Sequence, residues 1–181
     1  MATKFYNNNW RMPRNANQSK ASNFSMDFDG TDDYVYLGTP TELNLTGDMS
    51  ISAWIYTDTT AIGTKVIVCD CNSAGNASQF CLEINRTAGK ISALANGASV
   101  ALTSSTSLSI DTWYHVVLTR SGSAGNWDYN IYLDGLSDGS ANTADNFETQ
   151  QGAAIGRFGE SASGNFDGKI DHVAIFDYAL T

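Results

Sequence analysis

From Phe24 onward, apolar and polar residues alternate with a period of two, the spacing of a strand with one face in a core. Phe24, Met26 and Phe28 alternate with Ser25, Asp27 and Asp29, and Met49, Ile51, Ala53 and Ile55 alternate with Ser50, Ser52, Trp54 and Tyr56. Further strand-like runs cover residues 65–70, 79–84, 90–95, 113–120, 129–134 and 169–176. Asp29-Gly30, Asp134-Gly135, Asp138-Gly139, Asp167-Gly168 and Asn96-Gly97 supply turn chemistry, because Gly accepts positive φ at little cost. No stretch carries apolar residues at helical spacing for three turns. Many short strands joined by polar turns predict an all-β fold, a sandwich or a barrel.

The chain has 181 residues, which suits one domain with or without an arm. At this size about 70% of the unfolded surface can be buried, so a core forms without staples. No apolar run approaches the ~18–20 residues needed to cross a bilayer. The first residues have no apolar stretch behind their charges, so no secretory leader is read there. The three cysteines are Cys69, Cys71 and Cys81, an odd number. A cross-strand disulfide, a three-thiolate metal site and buried reduced thiols are all open, the last being the simplest.

Charge divides the chain. The formal net charge is −9, from 10 Lys+Arg and 19 Asp+Glu. Residues 1–26 hold Lys4, Arg11, Arg14 and Lys20 and no acid, so they carry +4 and the remainder 6 − 19 = −13. So acidic a body repels a phosphate backbone, which argues against a nucleic-acid partner. Residues 1–23 are Asn-rich, basic and aperiodic, too poor in apolar surface to fold alone. They read as an extended arm, with Phe5, Tyr6, Trp10, Arg11 and Arg14 as anchors on a partner protein. At the other end the chain stops just after a strong strand, and the natural protein is expected to continue past Thr181.

Three segments together resemble one family. FSMDFDGTDDYVYLG (Phe24–Gly38) with MSISAWIY (Met49–Tyr56) resembles the opening strands of a laminin-G-like, concanavalin A-like jelly roll. DTWYHVVLTR (Asp111–Arg120) with YNIYLDG (Tyr129–Gly135) is similar to its central hairpin, and AAIGR (Ala153–Arg157) with FDGKIDHVAIFDYAL (Phe166–Leu180) to its closing strand. The resemblance covers 24–181, leaving 1–23 as the arm. It implies an antiparallel two-sheet jelly-roll sandwich of two curved sheets, with ligands bound on the concave face or at rim loops. It also implies a structural Ca²⁺ held by the Gly30 carbonyl and the Asp171 carboxylate, hard oxygen ligands of the kind calcium takes. His172 stands where the family usually has an acid, which weakens that expectation.

Hydrolases of this fold carry Glu-x-Asp-x-x-Glu or Glu-x-Asp-x-Glu on one strand, and this sequence has neither. Glu42, Glu83, Glu148 and Glu160 are scattered. Asp27 and Asp29 share a face but lie in the first strand, and glycoside hydrolysis needs two carboxyl groups at a set separation. No nucleophile elbow or phosphate-cradling loop is present, so no catalytic residue is assigned. Binding is better supported. Sugar sites pair an aromatic face with amides and carboxylates. Trp127, flanked by Asn126 and Asp128, is the expected ring, with Asn142 and Asn146 in the loop 137–151 as further ligands. Trp54 and Trp113 are expected in the core.

Laminin-G-like domains with polar arms resemble accessory structural proteins of tailed bacteriophages. That resemblance implies a non-catalytic decoration protein on the virion surface, anchored to a capsid or other virion protein by residues 1–23. Its body would touch host-surface glycans without entering a membrane, and a homo-oligomer suits the same role. A free, extracellular or cell-surface lectin is the alternative. A glycan hydrolase is disfavoured by the missing carboxylate motif.

Overall fold

The structure is a computed structural model that describes residues 25–58, 63–71, 77–85, 89–95, 100–145, 147, 149–159, 161 and 163–181. Twelve strands are assigned: β1 (Met26–Asp29), β2 (Val35–Gly38), β3 (Met49–Thr57), β4 (Lys65–Cys71), β5 (Ala77–Ile84), β6 (Lys90–Leu94), β7 (Val100–Ser107), β8 (Trp113–Ser123), β9 (Asn126–Leu133), β10 (Leu136–Thr143), β11 (Ala153–Ile155) and β12 (Asp167–Phe176). They form two six-stranded antiparallel sheets, ordered β1-β12-β3-β8-β9-β10 and β2-β11-β4-β5-β6-β7. Among the described residues the only helical element is a 3-10 turn at Thr41–Leu43, and no helix is long and apolar enough to cross a membrane.

Alternation builds the core as the sequence predicts. Met49, Ile51, Ala53 and Ile55 of β3 and Val116 and Leu118 of β8 are buried against Phe80, Leu82 and Ile84 of β5 and Ile91 and Ala93 of β6. On the opposite face of the second sheet, Cys69, Cys71 and Cys81 form a smaller buried cluster with Val66, Leu94 and Phe158. The three thiols are free. Cys69 and Cys81 are cross-strand partners. Burial pushes the Cys81 thiol up to about 11 and the Cys69 thiol well above its ordinary value.

Two expected turns lie elsewhere. Asp138-Gly139 sits in β10, where Ser137/Gly139 form a bulge against β9, and Asp167-Gly168 opens β12. The span 137–143, expected as loop, is therefore mostly strand. Asp134-Gly135 is the β9–β10 turn, with both residues at positive φ (50° and 80°), the backbone a tight hairpin turn requires.

Candidate functional site

The outward residues of the first sheet are unlike an ordinary solvated face. On β3 they are Ser50, Ser52, Trp54 and Tyr56; on β8 they are Trp113, His115, Val117 and Thr119. The register sets Tyr56 opposite Trp113 and Trp54 opposite His115. The Tyr56 and Trp113 ring centroids are 5.6 Å apart, and those of Trp54 and His115 are 5.0 Å apart. Four rings thus stand in two cross-strand pairs, with Trp113 39% exposed. This corrects the expectation that Trp54 and Trp113 are core residues. Both are out of phase with the buried set of their strand.

Polar groups frame the rings. The Tyr56 hydroxyl donates to Asp111 Oδ1 at 3.1 Å, and this bond pushes its pKa up, keeping the proton on the phenol. His115 shares a 2.9 Å hydrogen bond between Nε2 and Ser52 Oγ, and its backbone N donates to Asp134 Oδ1 at 2.8 Å. Burial lowers its pKa, against the opposing pull of Asp134, so the imidazole is neutral at pH 7. On β12, Lys169 lies beside Tyr56 and Asp171 beside Trp54. The Lys169 ammonium is 5.2 Å from the Tyr56 ring centroid and 3.6 Å from Asp27 Oδ2.

The same face continues into a shallow depression of about 550 Å³ across β8, β9 and β10. Ser121, Asp128, Asn130, Ser140 and Asn142 line it, together with Tyr129 and Ala141. Asn142 Nδ2 donates to Asn126 Oδ1 at 3.0 Å and to Asp128 Oδ1 at 2.7 Å. Three of the sequence-predicted ligands, Asn126, Asp128 and Asn142, are therefore brought together. The fourth, Asn146, lies outside the described residues, as do Phe5, Tyr6, Trp10, Arg11 and Arg14 of the arm.

Trp127 is a correction. Its ring is 3% exposed and belongs to the core, in phase with Tyr129, Ile131 and Leu133, so it offers no face to a sugar. Its Nε1 donates to the Asp145 carbonyl at 3.1 Å, and its ring centroid is 5.3 Å from that of Phe147. Against these rings sits the guanidinium of Arg120, a residue with no exposed surface, whose Cζ is 3.8 Å from the Phe147 centroid. Arg120 donates to the carbonyls of Leu45, Gly47 and Gln79 and so ties the first sheet to β5 and the 45–47 loop. The sequence reading missed it, although an Arg in phase with Val116 and Leu118 signals a buried cation.

The residues implied for calcium do not converge. Asp29 pairs with Asp167, and a Cβ on Gly30 would meet Asp167 Cβ at 3.0 Å. Met26 pairs with Ile170, which puts Asp171 at the far end of β1, roughly 13 Å of strand away from Asp167. Asp171 instead holds His172, with Oδ2 2.9 Å from Nδ1 and Oδ1 accepting the His172 backbone N–H. Asp29, Asp32 and Asp33 do gather, their oxygens within 4.8 Å of one another, but all are exposed. Asp29 Oδ1 accepts the Thr31 N–H at 2.8 Å and Asp33 Oδ2 the Asp29 N–H at 3.1 Å, which accounts for them as turn residues.

Residues 29–181 match the laminin-G-type family described as the Concanavalin A-like lectin/glucanases superfamily. The chain belongs to it. No curated protein matches the sequence. Among solved structures, this lectin/glucanase-superfamily chain is similar to the native heptameric SAP-like pentraxin of Limulus polyphemus (TM-score 0.67, 18% identity, 87% of this chain and 77% of that one). It is also similar to the CBM40 of the Ruminococcus gnavus IT-sialidase (TM-score 0.69, 11% identity, 87% and 91%). A third is the Trypanosoma rangeli sialidase in complex with sialic acid (TM-score 0.65, 16% identity, 87% and 26%). The chain spans about a quarter of that sialidase. At these identities the likeness is one of fold.

Proposed function

We propose that this domain is a non-catalytic glycan-binding module whose site is the outer face of the first sheet. The observation that carries the reading is the double pair of outward rings, Tyr56–Trp113 and Trp54–His115. Aromatic faces take the C–H surface of a sugar ring, and flanking carboxylates and amides take its hydroxyls. A solved structure of the same fold described as a sialidase CBM40 supports a glycan as the broad class of ligand. The carboxylates around the rings each hold a neighbour: Asp27 with Lys169, Asp111 with Tyr56, Asp134 with His115, and Asp171 with His172. That suits positioning and hydrogen bonding better than an acid–base pair.

A glycan array followed by calorimetry tests the proposal. Trp113 is exposed and its loss leaves the core intact. Trp113→Ala is expected to weaken the strongest array ligand about tenfold or more, the equivalent of ~1.4 kcal/mol. Full binding by the variant, or turnover of the ligand by the pure protein, would refute the reading.

The display context is a further part of this proposal. The +4 of residues 1–26 against −13 in the remainder favours an arm that docks on an acidic partner while the body stays in solvent. We infer that the module decorates a virion surface through residues 1–23.

A further inference from the structure

The outer face of the first sheet has a sign. Asp27, Asp128 and Asp171 project from its strands, and Asp111 and Asp134 flank the rings at strand ends. Among the described residues it carries Lys169, paired with Asp27 at 3.6 Å, and the His172 imidazole, whose Nδ1 lies 2.9 Å from Asp171 Oδ2. Arg120 points the other way and is buried. Arg157 lies over the Tyr34 ring at 3.3 Å, beside the second sheet. Carboxylated sugars are held by guanidinium or ammonium groups, often through two parallel hydrogen bonds. Here a sugar carboxylate would meet a surplus of like charge, whereas a neutral sugar finds ring faces and hydroxyl acceptors.

The face also has a length. Trp113 and Ser121 stand eight residues apart on β8, roughly 27 Å. The ring pairs occupy one end, and Asp128, Asn130 and Asn142 the other. Between them Val117 lies opposite Tyr132. The segment after β12 walls one side: Ser50, an outward residue, is fully buried because its Oγ donates to the Tyr178 carbonyl at 2.9 Å and accepts the Leu180 N–H at 2.8 Å. What remains open is a track from the β3–β8 rings across β9 to β10. A disaccharide seated on the rings does not reach the asparagines at its far end.

We infer that the ligand is an uncharged, extended oligosaccharide that spans both ends of this track, and that sialylated and uronic glycans are rejected. The inference rests on the glycan-binding reading above. Its test is calorimetry on the full chain with neutral linear oligosaccharides of two to six residues from the array, alongside 3′-sialyllactose and oligogalacturonates of the same lengths. Affinity for the neutral series is expected to rise at least tenfold from two to six residues. Asn142→Ala should weaken the hexasaccharide at least fivefold more than the disaccharide, while Trp113→Ala weakens both. Acidic glycans that bind as tightly as the neutral series, or affinity independent of length, would overturn the inference while leaving glycan binding in place. Silence from every sugar would instead remove the reading beneath it.

Discussion

Asp70 is fully buried and only half satisfied. Its Oδ1 accepts the backbone N–H groups of Gly152 at 2.9 Å and Gln151 at 3.1 Å, whereas Oδ2 meets no donor. Burial raises its pKa, and the two backbone bonds oppose that shift. A carboxyl whose folded pKa lies above its unfolded value supports folding below the unfolded value, near 3.8, and loses that support as pH rises through the folded one. Asp70→Asn keeps an acceptor and removes the charge. It is expected to stabilise the fold at pH 7 by about 1–2 kcal/mol, with the advantage vanishing at pH 3, as urea melts at both pH values would show. Residue identity and strand phase competed elsewhere. Trp54 and Trp113 are large and apolar, yet both are out of phase with Ile55 and Val116, and phase decided their place. Trp127 failed for the converse reason: β9 begins at Asn126, three residues before the run read from sequence, so a ring in phase with Ile131 was taken for a loop residue.

At the scale of elements, β12 shows what alternation leaves out. Asp-Gly at 167–168 reads as a turn, yet the pair lies in a ten-residue strand. Gly168 is there for closeness. With φ at 129°, a Cβ would collide with the Tyr56 carbonyl oxygen and stand 2.9 Å from Thr57 Cα. Gly168→Ala is therefore expected to cost about 2–4 kcal/mol and lower Tm by roughly 5–15 °C, measurable by thermal melting. β10 was hidden by its composition: LSDGSANT has few apolar residues because its outward side is the polar depression. Register was hidden altogether. Nothing in the sequence says that Asp29 faces Asp167 and Met26 faces Ile170, so the separation of Gly30 from Asp171 along the strand was not legible there.

The whole molecule was the most legible scale, since period-two alternation with polar turns leaves little beyond a sandwich or a barrel, and the three family-like segments point to the sandwich. The sandwich closes along one side where Asp138 of β10 accepts hydrogen bonds from the Thr106 N–H at 3.2 Å and hydroxyl at 2.8 Å on β7, covering edges that would otherwise invite pairing. Residues 1–23 read from the sequence as an arm with too little apolar surface to fold alone. Their deletion is expected to leave Tm within about 2 °C of the full chain and, on the anchoring proposed above, to abolish co-sedimentation with virions. Unchanged association would remove the anchoring role.

The sealed thiols of the second sheet have a practical corollary. Cys69, Cys71 and Cys81 lie beneath Phe158, and a Cβ on Gly159 would stand 3.4 Å from the Cys71 sulfur. An alkylating probe reaches them only when that cover lifts. The rate of labelling thus times the opening of the β4–β5 region without an engineered dye, an intrinsic stopwatch for breathing on the side of the domain away from the ring-bearing face.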